Sequence, residues 1–266
     1  MTTKQLAKEI FKRYGEVTRA RGYFLYTKKG VRLTDMYLED GRAVLGWRAG
    51  NALLHFKNFL SRGLNGSFIC EKNCRLEKSV SLLLDNSEKS LTRRIFVFSS
   101  KSQAVKASLM FSKDKTIVWK PFSKIAYSDF ESVVIAPPFG WANSFWLVAV
   151  KTVSVNEDIE KLLPEETALS FPLKVAVTRA IYDYIEEEKV RVEKEWFIYD
   201  TYLHNYFERN GCQLTPKVPE EKYDDFVLYC LDNHIVINPN FDGTSYVPYM
   251  VDKGNFTKIK NSPFAF

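Results

Sequence analysis

Three sets of side chains in this sequence could do chemistry: four cysteines (Cys70, Cys74, Cys212, Cys230), three histidines (His55, His204, His234), and lysines and serines placed at the ends of apolar runs. The cysteines form no paired Cys-x-x-Cys modules, so a structural zinc site is not expected. Reduced, buried thiols are the expectation instead, with Cys70 and Cys74 acting as a pair of small hydrophobes. Neither His55 nor His204 has a serine, cysteine or carboxylate at a spacing that makes a nucleophilic relay, and hydrolase chemistry falls away with it. Trp141, Phe145 and Trp146, grouped around Gly140, could stack on a planar ligand. Their more ordinary role is to fill a core or a dimer interface.

The chain that must position these groups has 266 residues, 45% of them hydrophobic and 26% charged. That is a globular composition with room for one large or two small domains. A net charge of +6 is small for the size, and the basic clusters Lys28-Lys29, Arg93-Arg94 and Lys113/Lys115 are dispersed. Solvated turns account for them, and no nucleic-acid partner is expected. No apolar run approaches the ~20 residues that span a bilayer, and Met1 to Gly15 lacks a secretory apolar core. The expectation is a cytoplasmic protein with no membrane partner.

Apolar positions Leu6, Ile10, Phe11, Tyr14 and Val17 predict a helix over residues 3–20. Tyr23 to Tyr26 and Val31 to Asp35, separated by Lys28-Lys29-Gly30, predict a β-hairpin. Helices follow at Asn51 to Leu60 and Leu76 to Leu84. A strand at Arg94 to Phe98, a polar turn and a helix from Gln103 to Met110 make a βα unit, which indicates an α/β layer. Further strands are predicted at Ser132 to Ala136 and Phe145 to Val150, and a short helix at Glu157 to Leu163. A helical stretch runs from Leu173 to His204 with a break near Glu186 to Glu188, and Asn210-Gly211 reads as a helix C-cap. A helix over Tyr223 to Leu231 and a strand at Ile235 to Ile237 complete the pattern.

Several residues then carry a family likeness. Tyr23-Phe24-Leu25-Tyr26 with Gly30, Leu33, Asp35, Gly41 and Leu45-Gly46-Trp47 resembles the N-terminal hairpin of class III, fold-type-I aminotransferases, especially the glutamate-1-semialdehyde aminomutase type. Ser99, Ser100, Lys101, Ser102, Gln103 and Ala104 fall where that family has its phosphate cup, usually Asn-Ser-Gly-Thr-Glu-Ala. Ser170-Phe171-Pro172-Leu173 with Tyr184 to Glu187 resembles the helix that opens its small domain. His234 to Pro239 is similar to its late strand and turn.

The resemblance implies a pyridoxal 5'-phosphate (PLP) site, with Ser100, Lys101 and Ser102 as the cofactor-binding positions. Such a turn binds phosphate through N–H groups at a helix N-terminus. Lys101 replaces the family's glycine, so its charge favours phosphate while its bulk opposes close approach. The family also needs an Asp for the pyridine nitrogen and a Schiff-base Lys. The short interval from Gln103 to Ser170 offers no recognisable Asp, and the strand resembling the family's Glu-Pro strand has Ala136 where the acid belongs. Lys151, after Phe145 to Val150, is the geometric stand-in for the lysine.

The expected fold class is therefore α/β, a reduced PLP-dependent transferase-like architecture. Its segments are 1–65 (helix, hairpin, helix), 66–165 (a shortened cofactor-domain remnant) and 166–266 (a C-terminal α/β small domain). The expected function is a degenerate aminotransferase-like homodimer without transaminase chemistry or bound PLP, acting as a ligand-binding or interaction protein, with a small phosphorylated or planar ligand at Ser100 to Ser102. The alternative is an active PLP enzyme, an aminotransferase or aminomutase, with Lys151 as its lysine.

Overall fold

A computed structural model describes residues 1–66, 74–87, 90–112, 116–142 and 145–266. Cys70, the Cys74 side chain, Lys113 and Lys115, all singled out above, lie outside the described residues. In chain order the elements begin with helix α1 (Thr3–Tyr14), strands β1 (Val17–Arg21), β2 (Phe24–Thr27) and β3 (Arg32–Asp35), and helices α2 (Ala52–Ser61) and α3 (Cys74–Asp85). Strand β4 (Arg93–Phe98), helix α4 (Lys101–Phe111), strands β5 (Ile117–Val118), β6 (Ser132–Ile135) and β7 (Trp146–Lys151), and helices α5 (Glu157–Glu160) and α6 (Phe171–Val190) follow. The chain closes with α7 (Lys194–Phe197), α8 (Asp200–Leu203), β8 (Phe207–Asn210), β9 (Gln213–Pro216), α9 (Glu220–Asp232), β10 (Ile235–Val236), β11 (Ser245–Tyr246) and α10 (Thr257–Asn261).

These elements form two compact units, one from residues 1–49 with 190–266, the other from 50–189. The expected segments 1–65 and 166–266 each contribute to both.

In the first unit, β1, β2 and β3 are antiparallel neighbours and β10 joins β3 in parallel, with Val236 opposite Asp35. Helix α1 starts on a capping box between Thr2 and Gln5. It stops at Tyr14, six residues before the predicted end, because Gly15 takes a left-handed φ of +77° and its N–H closes on the Phe11 carbonyl. Residues 17–21 are thereby released to pair as β1. Asn210-Gly211, predicted as a helix cap, instead opens the two-residue loop of the β8–β9 hairpin, with Asn210 paired to Gln213 and Gly211 at φ +59°. Helix α9 buries Tyr223, Phe226, Val227, Cys230 and Leu231, an i, i+3, i+4, i+7, i+8 stripe.

Several positions of the hairpin motif meet in this unit for structural reasons. Buried Asp35 accepts from the Tyr37 amide at 3.0 Å, the Leu38 amide at 2.9 Å and the Trp47 indole at 2.7 Å. Burial pushes its carboxyl up, opposed by the Leu38 amide, the Trp47 indole and the Tyr37 amide. Gly41, at φ +81°, lies where a Cβ would meet the Tyr246 ring at 2.4 Å. Only glycine fits there.

The second unit is built on the sheet β4-β7-β6-β5, in which β4, β6 and β5 run one way and β7 the other. One face carries Phe96, Phe98, Val134, Val148 and Val150 against Ala104 and Ala107 of α4, whose small side chains let the helix approach closely. The other side of β4 is tied to α3, since Ser81 Oγ accepts from the Thr92 and Arg93 amides, each at 3.2 Å. The Thr167 amide donates to the Val97 carbonyl at 2.8 Å, so the outer edge of β4 is covered by chain. The long predicted helix does break, but at residues 191–193, after α6 has carried the 186–188 acidic run to its end.

Candidate functional site

In an open α/β sheet, ligands bind outside the carboxyl ends of the parallel strands. Here those ends are Phe98, Ile135 and Val118, beside Trp146 at the start of β7, because Phe98 pairs with Trp146, Ile135 with Leu147, and Val118 with Val134.

The predicted cup is built at this edge. Ser100, in extended conformation, is the N-cap of α4 and accepts from the Gln103 amide at 3.2 Å. The Gln103 side chain folds back and accepts from Ser99 Oγ at 2.9 Å and Ser100 Oγ at 3.2 Å. The three groups therefore satisfy one another. Lys101 and Ser102, predicted as part of a loop, are the first two helical residues. Their N–H groups have no acceptor inside the helix and sit at its positive pole. The Lys101 ammonium lies 5.6 Å from the centre of the Trp146 ring, held over the neighbouring strand end by cation–π attraction.

Lys151 is not brought to this edge. It ends β7 opposite Arg93, five ladder steps from the Phe98–Trp146 pair, or about 17 Å at ~3.4 Å per residue. That is beyond the reach of its side chain, which instead pairs with Glu131 at 3.3 Å. The physical reason is the antiparallel direction of β7, which carries its last residue to the amino-end edge of β4 and β6.

Asp85 and Arg93 also belong to that far edge. Arg93, with a side chain 0% exposed, binds Asp85 through Nε at 2.8 Å and Nη2 at 2.6 Å, and donates to the Phe130 carbonyl at 2.7 Å. Glu131 additionally accepts from Ser154. The Ser154 hydroxyl, and then Lys151 and Arg93, hold the Glu131 carboxyl below its ordinary value.

The aromatic group divides. Phe145 and Trp146 are 4% and 7% exposed and belong to the core. Trp141 is half-buried, stacked on Phe139 at 6.0 Å and met edge-on by Phe56 at 5.3 Å. No ligand is needed to account for Phe145 or Trp146.

Residues Ser99–Gln103, Trp119–Ser123 and Ala136–Trp141, which leave the three carboxyl ends, include no Asp, Glu or His among the described residues. A carboxylate approaches this region from α6. The Tyr184 hydroxyl receives the Phe122 amide at 2.6 Å and donates to Glu188 at 2.9 Å. Burial pushes the Glu188 carboxyl up, with the Tyr184 hydroxyl opposing. Sequence reasoning missed this pair, although the i, i+4 spacing of Tyr184 and Glu188 was a signal. Among the described residues there is no cluster of three or more His, Cys, Asp or Glu able to hold a metal, and no helix is long and apolar enough to cross a membrane.

Tested against PLP, this donor set fits one end of the cofactor. The Ser100-capped helix start with Lys101 suits a phosphate. The strand-end turns hold no acid for a pyridine nitrogen, and the lysine singled out for the aldehyde carbon lies at the other edge.

No family model matches the sequence. An uncharacterized protein of Treponema pallidum (strain Nichols) is 25% identical, over 90% of this chain and 91% of its own length. Among solved structures, the ornithine aminotransferase of Plasmodium yoelii aligns with a TM-score of 0.63 at 12% identity, covering 98% of this chain and 97% of that one. Acetylornithine aminotransferase from Elizabethkingia anophelis gives 0.61 at 12% identity over 97% of both chains. Taurine:2-oxoglutarate aminotransferase from Bifidobacterium kashiwanohense, solved with PLP and glutamate, gives 0.63 at 11% identity over 98% and 99%. At such identities the likeness concerns architecture, and on that level the chain has the α/β fold of the PLP-dependent aminotransferases.

Proposed function

We propose that this protein is an aminotransferase-fold homodimer that does not carry out transamination and binds a small phosphorylated ligand at the start of α4. The observation that carries the proposal is the division of the sheet's polar groups. The α4 N-terminus offers the Lys101 and Ser102 amides, the Ser100 cap and a lysine, whereas Lys151 lies about 17 Å away along the ladder. The closer affiliation with the glutamate-1-semialdehyde aminomutase type rests on the hairpin residues, Tyr23 to Trp47. The dimer rests on the fold-type-I likeness.

The second reading, a working PLP enzyme, draws on the neighbour solved with PLP and glutamate. Incubating the pure protein with PLP, reducing with borohydride and mapping the adduct by mass spectrometry separates the two. The expected result is no stoichiometric lysine adduct, together with saturable inorganic-phosphate binding that Lys101→Glu weakens by about tenfold or more. One adduct at full stoichiometry on a single lysine overturns the proposal, and light scattering of the same sample checks the dimer.

A further inference from the structure

In the first unit, the two faces of the β1-β2-β3 hairpins differ in kind. One belongs to the core: Leu33 is fully buried, and its cross-strand partner Leu25 and, beyond that, Ala20 lie on the same face. On the opposite face the pairing aligns Arg19 with Tyr26, Arg21 with Phe24, Tyr26 with Arg32 and Phe24 with Thr34. Three arginines thereby surround two aromatic rings. All three arginines are exposed, and both rings are half-buried. The Arg19 guanidinium stands 5.3 Å from the centre of the Tyr26 ring, and that of Arg32 stands 4.3 Å from the centre of Phe24. Both distances are in the range of cation–π attraction.

The charge of this face is not neutralised locally. Arg32 donates to the side-chain oxygen of Asn255 at 3.2 Å, a neutral partner. Glu16, which precedes β1, is taken by Lys28 at 3.7 Å. Among the described residues no carboxylate forms an ion pair with Arg19, Arg21 or Arg32. At ~3.4 Å per residue along a strand and ~4.8 Å between strands, the three arginines are roughly 7–12 Å from one another at the backbone. No run of adjacent charges announces this surface, because each of the three has uncharged neighbours in the chain and they meet only through strand pairing. That is why the dispersed sequence clusters gave no sign of a nucleic-acid partner.

We infer that this β1-β2-β3 face is a binding surface for single-stranded nucleic acid, its phosphates taken by Arg19, Arg21 and Arg32 and its bases stacked on the guanidinium planes and on Phe24 and Tyr26. Charge and shape both fit. A sheet face bearing aromatic rings is a platform on which bases stack with little regard to sequence. A guanidinium adds a plane for stacking and a fork of donors for phosphate. An anionic membrane would meet the same charge, but insertion calls for projecting apolar side chains, and the rings here are half-buried beside guanidiniums. The face shares no residue with the α4 turn, so neither proposal depends on the other.

The test is fluorescence anisotropy of the full chain with a fluorescein-labelled oligo-dT of about twelve nucleotides, inside the ~4–16 range of single-stranded sites. Saturable binding is expected, with log K falling against log salt at a slope of about −2, as three phosphate contacts at about −0.7 each require. An abasic strand of the same length should compete about tenfold less well than unlabelled oligo-dT, because it has no bases to stack. Arg21→Glu, at an exposed position, should weaken oligo-dT about tenfold or more. Lys78→Glu, the same charge reversal on exposed α3 of the second unit, should change it less than about twofold. No saturable binding, equal competition by the abasic strand, equal losses in the two variants, or tighter binding to phosphatidylserine vesicles than to oligo-dT would each overturn the inference.

Discussion

The two edges of the β4-β7-β6-β5 sheet are made from the same strands and are chemically opposite. At the amino-end edge, charge is concentrated and matched. Arg93 is enclosed by Asp85 and by the Phe130 and Tyr127 carbonyls, and Glu131 holds Lys151 and Ser154. At the carboxyl-end edge the turns offer hydroxyls, amides, aromatic rings and the lysines Lys101 and Lys120. A buried ion pair whose hydrogen-bonding capacity is filled serves structure, because it has nothing left to offer a ligand. A helix start bearing unpaired amides and a cation can take an anion. The charge-rich edge is therefore the scaffold, and the charge-poor edge is the one to which the proposed ligand is assigned.

The largest expected effect breaks the scaffold edge. Asp85→Ala leaves the Arg93 guanidinium buried without its carboxylate and should lower unfolding free energy by about 3–5 kcal/mol in urea titration at neutral pH. A loss below about 1 kcal/mol would mean that the edge is held otherwise. At the other edge Ser100→Ala removes the α4 cap and should cost about 1 kcal/mol by the same measurement. A loss as large as that of Asp85→Ala would erase the distinction between the edges.

The smallest effect sharpens the comparison through pH. The Glu131 carboxyl is held below its ordinary value, so the stability it contributes is present above the ordinary glutamate range and disappears as pH falls through the lowered one. Because the group is largely solvent-screened, Glu131→Gln should be less stable than the parent by at most about 1 kcal/mol at neutral pH. The gap should close in strongly acidic solution, which thermal melts across the pH range would record. A gap that widens on acidification would refute this sign.

Much of the fold was legible where pattern is local. Leu76 to Leu84, Arg94 to Phe98 and Tyr223 to Leu231 each carry a periodicity that belongs to one element, and each formed that element within a few residues. Gly15 was the misjudged punctuation, since the apolar pattern continued to Val17 while the backbone turned at the glycine. Asn210-Gly211 was ambiguous for a related reason: a left-handed glycine ends a helix and turns a hairpin equally well. Pairing with Gln213 decided it. Of the candidate site, the βα unit with its polar turn was legible in residue order, but the helix start was placed at Gln103, and that Ser100 caps a helix beginning at Lys101 came from the structure.

What the sequence by itself determined was the α/β character and the polar turn after Arg94 to Phe98, both set by residue type and short-range spacing. Only the tertiary structure decided where Lys151 sits. A lysine after an apolar strand has no address until the strand's direction is known, and direction is settled by pairing with Arg93 to Phe98, far away in sequence. The arginines of β1 and β3 are a second case. Arg19, Arg21 and Arg32 can be counted along the chain, but that they share a sheet face with Phe24 and Tyr26 follows from strand pairing alone.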